Sequence, residues 1–287
     1  MHWLADIRSV RLGSSDLDAS VKFATEILGL ELVRRDANRA YLRASAGQDH
    51  HVVYERGDIT KEALAFEADT DASLQRVLSD LERAGNRITE GSRGECDDRH
   101  VVAMYAVIDP SGNRLELTRG SEVASTVTYA RDAGITSFSH VGLRTTNPQR
   151  DERFWTNGMG ARVSDWIGDA PLLRLDPVHH RVALFPSERQ GFQHVNFQVA
   201  SIDNIMQSYY FLTKRGVKIT FGPGRHPTSG AMFLYFMGPD GMIYEYSSGV
   251  RMITDERTYE PRRFPFAASS FCMWGAIPDI PEFKAAK

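Results

Sequence analysis

The stretch SVRLGSSDLDASVKFATEILGLELV, residues 9–33, is written a second time as SHVGLRTTNPQRDERFWTNGMGARV, residues 139–163. Three further landmarks repeat at nearly the same interval. The pair His50-His51 falls on His179-His180. ASLQRVLSDLERAG at 72–85 falls on NIMQSYYFLTKRG at 204–216, with Gly85 over Gly216. PSGNRLEL at 110–117 falls on PDGMIYEY at 239–246. The offset stays between 129 and 131 residues throughout, so the chain is one domain written twice. This predicts a first domain over 1–130, a second over 131–250, and a tail over 251–287 without a counterpart. The tail carries Phe264, Pro265, Phe266, Phe271 and Trp274, and is expected to pack irregularly on the second domain.

Each copy contains two similar units. In the first, an apolar stretch near 7–13 precedes a helix with Leu17, Val21, Ala24 and Leu28 on one face, closed by Gly29. Short strands follow at 30–33, 40–44 and 51–55. The second unit opens with ALAFEA at 63–68, and its helix carries Leu74, Val77, Leu78 and Leu81 at helical spacing before Gly85. Strands near 87–90, 101–107 and 114–118 complete it, with Pro110-Ser111-Gly112 as a turn. Strand, helix and three strands, four times over, is an α+β pattern in which each helix buries one stripe against a sheet.

Composition narrows the function classes. The 287 residues are 42% hydrophobic and 25% charged, which excludes disordered and low-complexity readings. The net charge is -3 and no basic block occurs, so nucleic acid is not an expected partner. MHWLADIRSV lacks the pattern of a signal peptide, and no apolar run approaches the roughly 20 residues of a membrane helix. Two cysteines, Cys96 and Cys272, build neither a disulfide framework nor a thiolate metal site. The expectation is a soluble cytoplasmic protein, homo-oligomeric by default.

The duplication supplies an internal control. His140, His194 and Glu245 sit in three apolar strand segments, FSHVGL, FQHVNFQV and MIYEYSS. At the repeat offsets their first-copy counterparts are Val10, Ala63 and Glu116, so two of three polar groups are missing from a copy that keeps the surrounding pattern. Histidines that served the fold would tend to recur. Two neutral imidazoles and a carboxylate fill one face of an octahedron and leave three adjacent positions open, the arrangement of non-haem Fe(II) oxygenases. His180 in VHHRVALF, His226 in the loop GPGRHPTSG and Tyr235 in AMFLYF lie in the same copy. The first copy keeps a histidine pair at 50–51, which ties His180 partly to the fold, whereas His226 and Tyr235 have no obvious counterpart there.

These residues resemble the type I extradiol ring-cleavage dioxygenases of the vicinal oxygen chelate superfamily. The likeness spans nearly the whole chain, and GRHPTSGAMFLYFMGPDGMIYE at 224–245 is its most specific segment. It joins the loop histidine, a Leu-Tyr pair, a Pro-x-Gly turn and the glutamate. Gly238 departs from the acidic, amide or other small residue usual there. Ser229 stands where the family sometimes has an acid. The resemblance implies four βαβββ modules, with mixed sheets curled around a site in the C-terminal domain. It implies Fe(II), with Mn(II) as the alternative, on His140, His194 and Glu245, and His180, His226 and Tyr235 as the proton-transferring and hydrogen-bonding residues. The implied partners are a catechol-type diol and dioxygen. The implied product is a 2-hydroxymuconic semialdehyde-type acid carrying both oxygen atoms.

Other functions remain open at the level of sequence. Metal-dependent isomerases and lyases share the superfamily, but glyoxalase-like members commonly use four protein ligands where three are in place here. The 2-oxo-acid dioxygenases share two histidines and a glutamate. A non-catalytic protein that sequesters an aromatic ligand is the remaining alternative.

Overall fold

The duplication is laid down strand by strand. The computed structural model describes residue 4, residues 6–121 and residues 126–284. Its first copy runs β1 (Asp6–Ser14), α1 (Leu17–Lys22), β2 (Glu31–Arg35), β3 (Arg39–Arg43) and β4 (Val52–Arg56). Then come β5 (Glu62–Glu67), α2 (Asp71–Arg83), β6 (Ile88–Glu90), α3 (Arg93–Arg99), β7 (Ala103–Ile108) and β8 (Arg114–Arg119). The second copy runs β9 (Ile135–Thr145), α4 (Pro148–Asn157), β10 (Arg162–Ile167), β11 (Ala170–Arg174) and β12 (Val182–Pro186). It continues with β13 (Phe192–Val199), α5 (Ile202–Lys214), β14 (Ile219–Arg225), β15 (Met232–Met237) and β16 (Ile243–Ser248). The tail adds β17 (Arg262–Phe264) and α6 (Ala268–Phe271).

The sheet orders are β2-β3-β4-β1-β5-β8-β7-β6 and β10-β11-β12-β9-β13-β16-β15-β14, the second extended by β17 at its β10 edge. In each, two modules join through one antiparallel pair, β1 with β5 and β9 with β13. Parallel pairs flank that seam, β4 and β8 in one sheet, β12 and β16 in the other. The expected α+β fold of four βαβββ modules is borne out.

Local sequence explains the helices. Thr70 Oγ1 accepts from the Ser73 backbone N–H at 3.0 Å to cap α2, and Leu74, Val77, Leu78 and Leu81 are buried as their spacing predicts. Gly85 ends that helix at a φ of 83°, a conformation that costs glycine little. In α1 the stripe Leu17, Val21, Ala24 and Leu28 is buried, although the helix loosens to π winding from Phe23 to Leu28. Helix α3, in a segment where no element was expected, is marked by a capping box in which Ser92 and Glu95 each bond the other's backbone N–H.

By contact the chain divides into residues 1–131 with 149–162, and residues 132–148 with 163–287. Helix α4 thus belongs with the first unit, where Trp155 lies edge-on to Phe66 with ring centroids 5.7 Å apart. In the second unit the tail is more regular than expected. Arg262, Arg263 and Phe264 pair in parallel with Asp165, Trp166 and Ile167 of β10. Phe271, Cys272, Ile280 and Phe283 join Phe185, Phe221, Phe233 and Tyr235 in one buried cluster. Among the described residues no helix is long and apolar enough to cross a membrane.

Strand register corrects two correspondences read from the sequence. Across the first sheet the row is Ser9, Ala65, Glu116 and Ala106; across the second it is His140, Asn196, Glu245 and Tyr235. The counterpart of His140 is therefore Ser9, one residue from the expected Val10. Likewise Val52 pairs with Val10 as Val182 pairs with Val141, which sets His180 against His50 and Arg181 against His51. A constant sequence offset misses these single-residue steps. Ala63 against His194 and Glu116 against Glu245 stand.

Candidate metal centre

The row His140–Asn196–Glu245–Tyr235 crosses four neighbouring strands, so these side chains share one face of the sheet. His194 lies two residues along β13 from Asn196 and therefore on the same face. Alternation along β16 turns Tyr244 and Tyr246 to the opposite face, where both rings meet Phe236. Every residue of β16 is buried, so the glutamate's alternation is invisible in burial alone.

The three candidate ligands converge. His140 Nε2 is 3.0 Å from His194 Nε2 and 3.0 Å from Glu245 Oε2, and His194 Nε2 is 3.3 Å from that oxygen. Metal–ligand distances of about 2.1 Å put neighbouring ligand atoms about 3.0 Å apart at right angles and about 3.4 Å apart in a tetrahedron. The observed separations lie closer to one face of an octahedron. Gln193 Oε1 accepts from His194 Nδ1, which leaves the lone pair on His194 Nε2, turned toward the carboxylate. Glu245 is fully buried, and its oxygens lie 3.0, 3.3 and 3.5 Å from ring nitrogens of His140, His194 and His226. A buried carboxylate facing lone pairs is costly by itself and is satisfied by a cation. The residues present fit a divalent metal.

Charge in the site follows from burial. Burial pushes the His140 imidazole down to about 4, against the pull of Glu245, so the ring is neutral. Burial would raise the Glu245 carboxyl, but His140, His194 and His226 outweigh it and hold it well below the usual range. A neutral His140 ring and an ionised Glu245 therefore share this face of the sheet with His194.

The other three expected residues surround this face. The His180 ring centroid is 4.3 Å from that of His140, and burial holds His180 well below the usual imidazole range. His226, directly after β14, stacks on Phe233 at 3.9 Å and donates from Nδ1 to the Phe271 carbonyl of the tail at 2.7 Å. That leaves its Nε2 as the acceptor of the Tyr235 hydroxyl, 3.3 Å away. Burial, then the charge of Glu245, raises Tyr235 well above the usual phenol range, so it is a donor at neutral pH. The tail adds Phe283, 5.9 Å from Tyr235 and 6.5 Å from His194 between centroids.

The first unit treats the same positions differently. Glu116, the counterpart of Glu245, accepts two 2.6 Å bonds from Arg99, through Nε and Nη2, and one of 3.0 Å from Arg114. A fixed guanidinium on α3 neutralises the carboxylate that the duplication kept. Sequence reasoning missed Arg99, although the Ser92-x-x-Glu95 cap that builds its helix is visible. It also missed Gly142, which faces His194 where the first unit sets Arg11 against Ala63.

With this geometry in hand, comparison places the chain. Residues 6–117 and 137–246 each match the family model described as the Glyoxalase/Bleomycin resistance protein/Dioxygenase superfamily, and the chain belongs to that family. An iron-dependent extradiol dioxygenase of Rhodococcus jostii (strain RHA1) is 26% identical over 269 residues, covering 86% of this chain and 90% of the relative. A solved halotolerant catechol dioxygenase superposes with a TM-score of 0.88 at 22% identity, covering 99% of this chain and 98% of the other. The Mn(II)-bound glyoxalase of Novosphingobium aromaticivorans superposes with a TM-score of 0.86 at 27% identity, covering 100% and 96%. The resemblance to extradiol dioxygenases of the vicinal oxygen chelate superfamily, read first from the residues, is borne out.

Proposed function

We propose that this chain is an extradiol dioxygenase that opens a catechol-type ring beside its two hydroxyls and places both atoms of dioxygen in the product. His140, His194 and Glu245 hold Fe(II), with Mn(II) as the alternative, since both accept this ligand set. The observation that carries the reading is the buried, facial convergence of these three side chains with His180, His226 and Tyr235 around them. When bound, the metal supplies a Lewis acid that acidifies a coordinated hydroxyl and a common seat for diol and dioxygen.

The chain's own residues divide the remaining work. Tyr235, kept protonated, turns its single O–H from His226 Nε2 to a diol oxygen. His180, kept neutral, receives the hydroxyl proton and returns it as the ring opens. Phe271 and Phe283 from the tail belong to the aromatic wall that excludes water.

The test is oxygen uptake across a panel of monocyclic, bicyclic and trihydroxylated aromatic diols, with Fe(II) or Mn(II) added under air. A yellow, pH-sensitive product is expected from at least one diol, and none from His194→Ala. No uptake with any diol under either metal overturns the reading. A second reading, a Mn(II)-dependent glyoxalase, draws on the 27% identical neighbour. Isomerisation or cleavage of a 2-oxoaldehyde–thiol adduct without oxygen uptake would favour it.

A further inference from the structure

His180 is tied to a buried chain of polar groups that leads away from the candidate metal centre. Its Nδ1 lies 3.1 Å from Nδ1 of His179, and Nε2 of His179 lies 3.0 Å from Asp165 Oδ2. Asp165 and His179 are both fully buried. Arg262 of the tail closes the chain. Its Nη2 donates to Asp165 Oδ2 at 2.6 Å, and its Nε and backbone N–H donate to Oδ1 at 3.1 and 2.8 Å.

The direction of each bond follows from what each group can do. An ionised carboxylate only accepts, so His179 donates from Nε2. A neutral imidazole has one N–H, so Nδ1 of His179 is the acceptor and Nδ1 of His180 is the donor. The lone pair of His180 is then on Nε2. Three donated bonds from Arg262 keep Asp165 ionised, so it orients the chain without taking up a proton. The first unit offers a control: His50, the counterpart of His180, bonds Asp49 directly at 2.9 Å, and Asp49 stands at the position of His179. In the second unit an imidazole is inserted between the histidine and its carboxylate.

We propose that Asp165 and His179 are positioning residues that lock His180 in its Nδ1–H form with the lone pair on Nε2, Arg262 fixing the carboxylate. Its effect on turnover rests on the dioxygenase reading; the tautomer itself does not.

The experiment reads protonation directly. In the full chain with 15N-labelled histidine, long-range 1H–15N correlation spectra are recorded without metal and again with zinc(II) as a diamagnetic probe, the His180 signals being assigned by their loss in His180→Gln. The expected wild-type result is a proton on Nδ1 of His180 and none on Nε2. Asp165→Asn can present an N–H to His179 and is expected to reverse both rings, moving the His180 proton to Nε2. With a cleaved diol, its kcat falls about tenfold or more while KM and metal content stay close to wild type, as for a wrong-tautomer variant of a catalytic triad. His179→Phe removes the acceptor and is expected to give mixed His180 forms. A wild-type His180 protonated on Nε2 overturns the proposal without any variant. So does Asp165→Asn with unchanged tautomer and kcat. Failure of every diol to react would instead overturn the dioxygenase reading and leave the tautomer result standing.

Discussion

Gly142 lies directly opposite His194 across the β9–β13 pair, and a β-carbon at Gly142 would come within 2.4 Å of His194 Nδ1. The first unit makes the complementary choice, with Arg11 opposite Ala63. A ligand imidazole on one strand thus requires an absent side chain on the next. Gly142→Ala is expected to push the His194 ring off its bond to Gln193 and weaken divalent-metal affinity by about tenfold or more, as loss of an orienting bond commonly does. The fold should survive, because the clash is with two side chains, His194 and Gln193, rather than backbone, and Gly142 needs no unusual backbone angle. Metal titration by calorimetry, beside a far-ultraviolet circular dichroism spectrum, tests this. Unchanged affinity would show that the ring moves aside freely.

The repeat, the module order and the six candidate residues gathered on this face were legible because each leaves a mark in sequence: a period, a helical stripe, or a polar residue near an apolar strand. What was not legible depends on register. Ser9 against His140 differs from Val10 by one residue, and only strand pairing distinguishes them. Gly142 is an ordinary glycine until its partner across the sheet is known. Asp165 and His179 come together through a 14-residue separation and are pinned by Arg262, 97 residues beyond Asp165. No local spacing encodes such a chain.

Arg99 and Glu116 provide a stability prediction independent of activity. Arg99→Ala leaves a carboxylate with a 2% exposed side chain bonded by Arg114 and under the charge of Arg11, and is expected to destabilise the protein by about 3 kcal/mol. Replacing both partners by apolar residues, Arg99→Met with Glu116→Leu, removes the buried charge as well and should recover most of that loss. Urea denaturation of the single and double variants decides it. Metal content at the second unit should be unaffected in both. A double variant as unstable as the single would mean that packing of the guanidinium, and not its charge, is what the fold requires.

Metal removal should be visible without any substrate. The carboxylate of Glu245 and the His194 lone pair converge within 3.3 Å, an arrangement favourable only around a cation. Chelation is therefore expected to lower the thermal midpoint, and Fe(II) or Mn(II) at about 100 times its dissociation constant should restore about 2.7 kcal/mol. Glu245→Gln removes the charge that holds the metal and should abolish the metal-dependent shift. A midpoint unmoved by chelator and by added metal would argue against a metal centre.

His50 and His51 predict how stability depends on acid. Burial lowers His50 to about 4, with Asp49 raising it and Arg8 and Arg34 lowering it. Burial lowers His51 to about 3, with His50, Arg8 and Arg43 lowering it further. His51 also accepts the Ala44 N–H on Nδ1 at 3.1 Å, which an imidazolium could not do. Both rings are neutral when folded but take up protons below their ordinary value near 6.5 when unfolded. The unfolded chain therefore binds more protons as the pH falls, so this contribution is complete above pH 6.5 and is lost from 6.5 down to about 4 for His50 and about 3 for His51, at roughly 1.4 kcal/mol per pH unit for each ring. Urea unfolding of the metal-loaded protein at several values in that window should show stability falling with acid. His50→Gln, which keeps a polar group beside Asp49 but cannot titrate, should flatten the slope by about one ring's share. An unchanged slope would mean that His50 is already protonated in the folded protein, bound to Asp49 as an ion pair.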